Sequence, residues 1–418
     1  MRRLNSISTK HQYSIVQALY WMTSCAMGGY AAVFLQYKGL SNTLIGIVVG
    51  GAACLSMAVQ PLVAQITETV PFLTVKKMIQ LLILCMTGLY AALTFLPLPI
   101  VGVMAVYMAM NTLNYCVPPL LSAMGMEFIN RGYYLDFGLS RGIGSIAYAF
   151  CAAAVGFIID KFFPGVLGYI YIVFAVLLML AVSVMKDLGN ERRTVRKDPR
   201  MDTEEGMLQI VMKNPALLSL MIGFCLTNMS NAAACTYMVN IVKNLGGTDS
   251  LLGIANFVSA ASEMPVMLLF AWMLRKRSCI SLLKVSALFF VIKPLLLLCS
   301  VNLPMVFLGC AMQGMCFGLF TPAAVYYVNS TIAPEKRVKG QAVFSMITSG
   351  AATCGGNLLG GWLQDTFGLK IMLAICVFMA FAGMLVVAFL KEENTKRHEL
   401  PFRVKMWRYF QRRKKRMA

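Results

Sequence analysis

The sequence predicts an all-α membrane protein, with twelve transmembrane helices in two six-helix bundles, on three observations. Charged residues make up 13% of the 418 positions and apolar ones 59%, with mean hydropathy +0.71; about a quarter of a soluble protein is charged. Twelve apolar runs approach or exceed the ~20 residues that a helix needs to cross a bilayer. The two halves of the chain also echo each other at matching places along those runs.

In chain order the runs are residues 14–36, 43–66, 77–97, 99–124, 138–160, 166–185, 216–241, 251–273, 280–300, 304–329, 340–363 and 370–390. The first is too long for a signal-peptide core and lacks a small-residue exit, so it is expected to remain as a helix. Pro97 and Pro99 separate the third run from the fourth, and Pro304 separates the ninth from the tenth. Proline ends one helix and suits the first turn of the next. Between the sixth and seventh runs, residues 186–213 are charged and without apolar periodicity. They read as a cytoplasmic linker between bundles at 1–185 and 214–390.

Charge sorts by side. Of 37 Lys and Arg, 31 fall on one alternating set of loops and the termini, four (Lys38, Lys161, Lys243, Lys370) on the other set, and two (Arg141, Lys293) inside the runs. The positive-inside rule then places both termini in the cytoplasm, as an even number of spans also requires. A multi-pass protein of the cell (inner) membrane is expected. Eleven basic residues follow Leu390, in a tail (391–418) where Phe402, Met406, Tyr409 and Phe410 recur at helical spacing. That pattern suits a helix lying on anionic lipid headgroups, so the net charge of +20 does not call for nucleic acid. The 13 cysteines form no CxxC pair and both histidines lie in the tails; no disulfide, metal site or cofactor is expected.

Internal repetition sets the topology. Gly39-Leu-Ser-Asn-Thr-Leu-Ile-Gly-Ile47 enters the second run and Gly246-Gly-Thr-Asp-Ser-Leu-Leu-Gly-Ile254 enters the eighth, 207 residues later. Their shared Ser, Thr, Asn and Asp side chains suit the exposed N–H groups of a helix start. Gly156-Phe-Ile-Ile-Asp160 closes the fifth run and Gly361-Trp-Leu-Gln-Asp365 closes the eleventh. Six helices therefore repeat in the same sense about an axis along the membrane normal.

Few polar groups interrupt the apolar runs, and these are where function is expected. Glu263 alone among the 17 acids sits near the middle of a run, where a carboxylate costs roughly 2–4 kcal/mol and is functional by default. At 1.5 Å per residue it lies about 18 Å from one face of the hydrocarbon, and Lys293 about 18 Å from the other, a difference in depth of roughly 6 Å. A Glu263–Lys293 pair, direct or through substrate, is expected. Burial favours the neutral acid and a partner favours the ion, so such a group can load and release a proton as its surroundings change. Arg141 shares a helical face with Ser145 and Tyr148, a cation beside an aromatic ring that can bind hydroxyls or a carboxylate. Snorkelling of Arg141 to the interface is the alternative.

Met27-Gly-Gly-Tyr30, Gln60-Pro61, Phe137-Gly-Leu-Ser-Arg141-Gly-Ile-Gly-Ser145, Glu263 and Gly340-Gln341 together resemble the major facilitator superfamily. Within it they are most similar to the branch of lactose permease, nucleoside and phenylpropionate proton symporters. The resemblance implies a major facilitator fold with alternating access. It implies proton coupling at Glu263 with Lys293, and a substrate-binding Arg141 with an aromatic, Tyr148, under a sugar ring. The family's loop between helices 2 and 3 is reduced here to Glu68, Lys76 and Lys77, the expected conformational latch. The acid that should face Arg141 aligns with Ser122, and the helix 10 histidine and glutamate with Gln313 and Cys316, so the histidine relay is absent. Helix 7 offers Asn228 and Asn231 in place of aspartates, and Tyr30, Gln17, Trp21 and Tyr326 are further candidates for the cavity.

The expectation is a secondary transporter, a monomer, that imports a small polar solute such as a sugar or oligosaccharide with protons. Uptake of an organic or aromatic carboxylate, and efflux of amphiphilic compounds, stay open. An enzyme would need a nucleophile with a base, a metal cluster or a nucleotide loop, and the sequence presents none. A channel would be expected to carry a ring of like charges.

Overall fold

The computed structural model describes residues 2–70, 72–133, 135, 137–189, 214–332 and 337–390. The tail and nearly all of the expected linker lie outside the described residues. Within them the chain is helical: α1 (Arg2–Ser24, a π-helical turn Cys25–Gly29, then Ala31–Tyr37), α2 (Asn42–Thr69), α3 (Val75–Phe95), α4 (Ile100–Asn130), α5 (Phe137–Lys161) and α6 (Val166–Val184). The second half contributes α7 (Pro215–Thr236 and Met238–Asn244), α8 (Asp249–Lys276), α9 (Cys279–Leu298), α10 (Leu303–Thr331), α11 (Arg337–Ser345, Met346–Ala351, Ala352–Phe367) and α12 (Leu369–Ala388). Ten helices are long and apolar enough to cross a membrane alone, and the bent pair Thr9–Gly29 and Ala31–Tyr37 makes an eleventh crossing. α11 is not among them: a π-helical turn divides it, and its six glycines and several Ser and Thr make it less apolar.

Side-chain caps define many helix starts. Ser41, Thr74, Asn214, Ser278 and Asn302 each accept a hydrogen bond from a backbone N–H three residues on, satisfying donors that the first turn leaves unpaired. Breaks fall where the ladder shifts: π-helical turns lie at Cys25–Gly29, Gly314–Gly318 and Met346–Ala351, and α1 bends by 47° at Tyr30. Such turns re-aim side chains and concentrate at functional sites.

The first six helices pack mainly among themselves, as do the last six, and the bundles meet chiefly through α5 on α8 and α2 on α11. These two pairs are related by the sequence repeat. Glycine lets them approach: a Cβ on Gly253 would lie 2.7 Å from the Ala152 carbonyl, one on Gly50 2.8 Å from that of Cys354, and one on Gly46 would overlap that of Asn357.

The two repeated motifs clasp each other crosswise. Asp160, ending α5, accepts the N–H groups of Asp249 and Ser250 at the start of α8, both at 2.8 Å. Asp365, ending α11, accepts the Thr43 N–H at 2.6 Å, the Thr43 hydroxyl at 2.7 Å and the Asn42 amide at 2.8 Å. Each carboxylate thus meets the positive end of a helix in the other bundle. Tyr30 and Tyr237, also 207 residues apart, brace the same seal: Tyr30 donates to Ala152 O at 2.5 Å and Tyr237 to Asn42 O at 3.0 Å. Gln36 and Asn240 bridge the bundles beside them at 2.8 Å.

Each clasp is a helix cap worth about 1 kcal/mol. The double variant Asp160→Asn, Asp365→Asn is expected to keep the helices but widen the α5–α8 and α2–α11 ends. Spin-label distances across the seal would lengthen, and each single variant would give a smaller effect than the pair.

Candidate functional site

Lys293 dictates the arrangement in the second bundle. It precedes Pro294 in α9 and is 1% exposed, and an ammonium has donors but no acceptor. Its Nζ reaches Gln313 Oε1 at 2.5 Å and Asn231 Oδ1 at 2.7 Å, and lies 3.3 Å from Cys235 Sγ. Gln313 must turn its oxygen to Lys293, so its amide nitrogen points the other way and donates to Glu263 Oε1 at 3.2 Å. The expected Glu263–Lys293 pairing is therefore indirect, with Gln313 between the two charges.

Backbone geometry holds that chain in place. Gln313 leads into the π-helical turn of α10, and Gly314 N–H donates to Ser262 Oγ at 3.0 Å. A Cβ on Gly314 would overlap the Ser262 carbonyl, and one on Gly318 would lie 3.1 Å from Glu263 Cα. Two glycines thus bring α10 onto α8 at the acid.

In the first bundle Arg141 Nη1 donates to Ser145 Oγ at 2.8 Å, and the guanidinium lies over the Trp21 ring, 3.9 Å from its centroid. Trp21 meets Tyr148 edge to face at 6.5 Å. A Cβ on Gly144 would overlap the Trp21 ring, and one on Gly29 would lie 2.7 Å from the Tyr148 hydroxyl. The expected face of Arg141, Ser145 and Tyr148 is therefore assembled, with Trp21 as the ring beneath the cation. Arg141, like Lys293, lies within electrostatic reach of Glu263.

Under the seal, between the bundles, is a cavity of about 250 Å³ whose polar wall includes Asn111, Tyr115, Asn228, Asn231, Thr353 and Asn357. Its lining carries no Lys, Arg, Asp or Glu. Asn231 and Cys235 belong both to this wall and to the surroundings of Lys293. Asn228 and Asn231 were expected here; Asn111, Tyr115, Thr353 and Asn357 were not, although amides inside apolar runs were the available signal.

Other expected residues are placed elsewhere. Ser122 Oγ donates back to Pro118 O at 2.9 Å and is no partner for Arg141. Tyr30 is 1% exposed and sits in the seal. Gln17 is buried and donates to the Tyr13 hydroxyl at 2.9 Å. Lys76 Nζ donates to Ser183 O and Met185 O, at 2.8 and 2.6 Å, and Lys77 Nζ to Phe72 O at 3.2 Å. These bonds stay within the first bundle, and the Glu68 side chain is exposed.

A model of the MFS_1-like family matches residues 11–375. The chain belongs to that family. This MFS_1-like chain is 25% identical over 374 residues to the maltose permease of Geobacillus stearothermophilus, covering 87% of this chain and 90% of the relative. It is 21% identical over 265 residues to the uncharacterized transporter YwbF of Bacillus subtilis (strain 168), covering 63% of this chain and 65% of the relative. Among solved structures, the nucleoside transporter NupG (D323A mutant) superposes with TM-score 0.78 at 14% identity, over 91% of this chain and 98% of that one. The D-xylose–proton symporter gives 0.67 at 14% identity, over 94% and 99%. At these identities the structural likeness is one of fold. The MFS_1-like chain is a multi-pass membrane transporter.

Gln313→Leu should leave Glu263 without its amide donor and take one acceptor from Lys293, and cost about 2–3 kcal/mol of stability. Glu263→Gln keeps an acceptor for the Gln313 amide and should cost under about 1 kcal/mol. Thermal unfolding of the two purified variants in detergent measures the difference.

Proposed function

We propose that this transporter takes up a neutral, hydroxyl-rich solute such as a sugar together with protons, by alternating access. The observation that carries the reading is the cavity wall of amides and hydroxyls without a charged side chain, set beside the chain Lys293–Gln313–Glu263. Hydroxyls both donate and accept, so a polyol matches such a wall, whereas a carboxylate would face acceptors without a counter-charge. About 250 Å³ is below the ~300–1,000 Å³ usual for ligand pockets, and suits a one-ring solute better than an oligosaccharide. The names of the maltose permease and the D-xylose–proton symporter agree with this class.

Glu263 carries the proton in this scheme. Its carboxylate accepts from Gln313 and lies within reach of Arg141 in the other bundle, so closing the bundles around solute changes the field on the acid. Lys293 reports that change to the cavity through Asn231. With both termini in the cytoplasm of a cell membrane, the Asp160 and Asp365 clasps are the outer seal and the protein faces inward. The protein acts as a monomer, with anionic headgroups under the basic tail.

A second reading rests on charge. Arg141 and Lys293 are two cations within reach of one carboxylate, and a solute carboxylate would supply the missing negative charge. Uptake into proteoliposomes separates the two. A neutral sugar should accumulate against its gradient when a proton gradient is imposed, and Glu263→Gln should abolish accumulation at least about tenfold while sparing sugar exchange. Uptake of carboxylates alone, abolished by Arg141→Ala, would replace the first reading with the second.

A further inference from the structure

We infer that Asn111 is the first bundle's two-pronged hold on the transported solute, binding two neighbouring hydroxyls at once, one through its amide N–H and one through its oxygen; this rests on the neutral-solute reading above. The first bundle gives the cavity wall Gly28, Ala31, Val49, Asn111 and Tyr115, and only the last two carry polar side chains. The remaining polar lining, the hydroxyls of Thr236, Ser349 and Thr353 included, comes from α7 and α11.

The chain around Asn111 fixes its helix and leaves its side chain free. Pro118 and Pro119 have no N–H, so the helix ladder cannot pair the carbonyls of Asn114 and Tyr115. Neighbouring helices take them instead: the Tyr20 hydroxyl donates to Asn114 O at 3.4 Å and the Gln60 amide to Tyr115 O at 3.1 Å. One turn before Asn111, the Tyr107 hydroxyl donates to Met27 O at 2.6 Å. α4 is thereby held against α1 and α2, and Asn111 and Tyr115, at i and i+4, share the face that lines the cavity.

Asn111 is 5% exposed, yet among the described residues no protein group bonds its amide nitrogen or oxygen. Native proteins pair nearly all buried polar groups, so an unpaired amide calls for an explanation. Neither atom is among the seven buried polar side-chain atoms that are closed off without a partner, so both keep open surface, and the space they meet is the cavity. The other three amides of the wall are each half committed to the protein. Asn228 Nδ2 donates to Phe224 O at 2.9 Å, Asn357 Nδ2 donates to Thr353 O at 2.9 Å, and Asn231 Oδ1 accepts from Lys293 at 2.7 Å. Of the four, Asn111 alone keeps both a donor and an acceptor for the solute.

An amide presents its N–H and its oxygen side by side in one plane, the fork with which asparagine reads an adjacent acceptor and donor. Hydroxyls on neighbouring ring carbons fill both prongs, because each can donate or accept. A solute carboxylate would satisfy the nitrogen and oppose the oxygen. The Tyr115 hydroxyl, also without a protein partner, offers a separate contact one turn away. A solute gripped by Asn111 on one side and by the amides and hydroxyls of α7 and α11 on the other ties the two bundles together.

The test uses the purified full chain and thermal-shift titration with D-xylose, D-glucose and maltose, followed by the monodeoxy analogues of whichever binds best. Removing either hydroxyl of one adjacent pair should weaken binding at least about tenfold, because a site built to pair a hydroxyl rejects the analogue lacking it. In Asn111→Leu both penalties should fall below about threefold together, while those at other ring positions are unchanged. Asn111→Ala removes the amide without adding apolar bulk and should relax the same two positions, which covers the case in which the leucine variant does not fold.

If no two adjacent positions carry the penalty in the wild type, or if the Asn111 variants keep the wild-type order of analogues or relax a single position, the assignment is overturned and the neutral-solute reading stands. If no sugar stabilises the wild type, that reading fails and the assignment fails with it.

Discussion

A lysine ammonium with no access to water must find acceptors, and Lys293 finds them in neutral groups instead of a carboxylate. An ion pair in a low-dielectric interior gives back its desolvation cost only with good geometry and further hydrogen bonds. Gln313, Asn231 and Cys235 supply those contacts, and the first of them passes the order onward. The Gln313 oxygen is committed to Lys293, so its nitrogen is committed to Glu263. One donor-only group therefore fixes the direction of a chain that spans α7, α9, α10 and α8, and leaves the carboxylate free of a permanent counter-ion.

The two bundles share an outer frame and differ inside. Tyr30 and Tyr237, Gly46 and Gly253, Asp160 and Asp365 occupy matching places, because both copies of the repeat must close on the other copy with helices in backbone contact. Deeper in the membrane the match ends. The first bundle presents a guanidinium stacked on Trp21 and bonded to Ser145, and the second presents the amide-linked Lys293 and Glu263. A common seal therefore closes over unlike interiors.

Arg141, Ser145 and Tyr148 were legible in the sequence because they lie on one helix, where spacing alone puts side chains on a common face. Glu263 and Lys293 were legible as single residues, since an ion in an apolar run is costly wherever its helix is placed. Gln313 was visible only as a polar residue at a notable position. Its bridging role depends on three helices meeting at Gly314 and Gly318, and hydropathy carries no information about which faces meet. Tyr30 shows the converse: an aromatic beside two glycines in an apolar helix suits a cavity wall or a packed joint equally well, and only the neighbouring bundle decides. Asn111, Thr353 and Asn357 went unread because a lone amide or hydroxyl costs far less than a charge and so stands out less.

By itself the sequence determined the helical membrane fold, the parallel repeat and the few intramembrane ions, because each follows from the free energy of single side chains in hydrocarbon or from helix-end chemistry. Tertiary structure decided which repeated motif clasps which, that an amide and not a salt bridge joins Lys293 to Glu263, and that the cavity is walled by uncharged groups. These are properties of distance and orientation between helices far apart in the chain. They are set by where glycine permits close approach and by which donors are left needing an acceptor, and neither quantity exists until the bundles have packed.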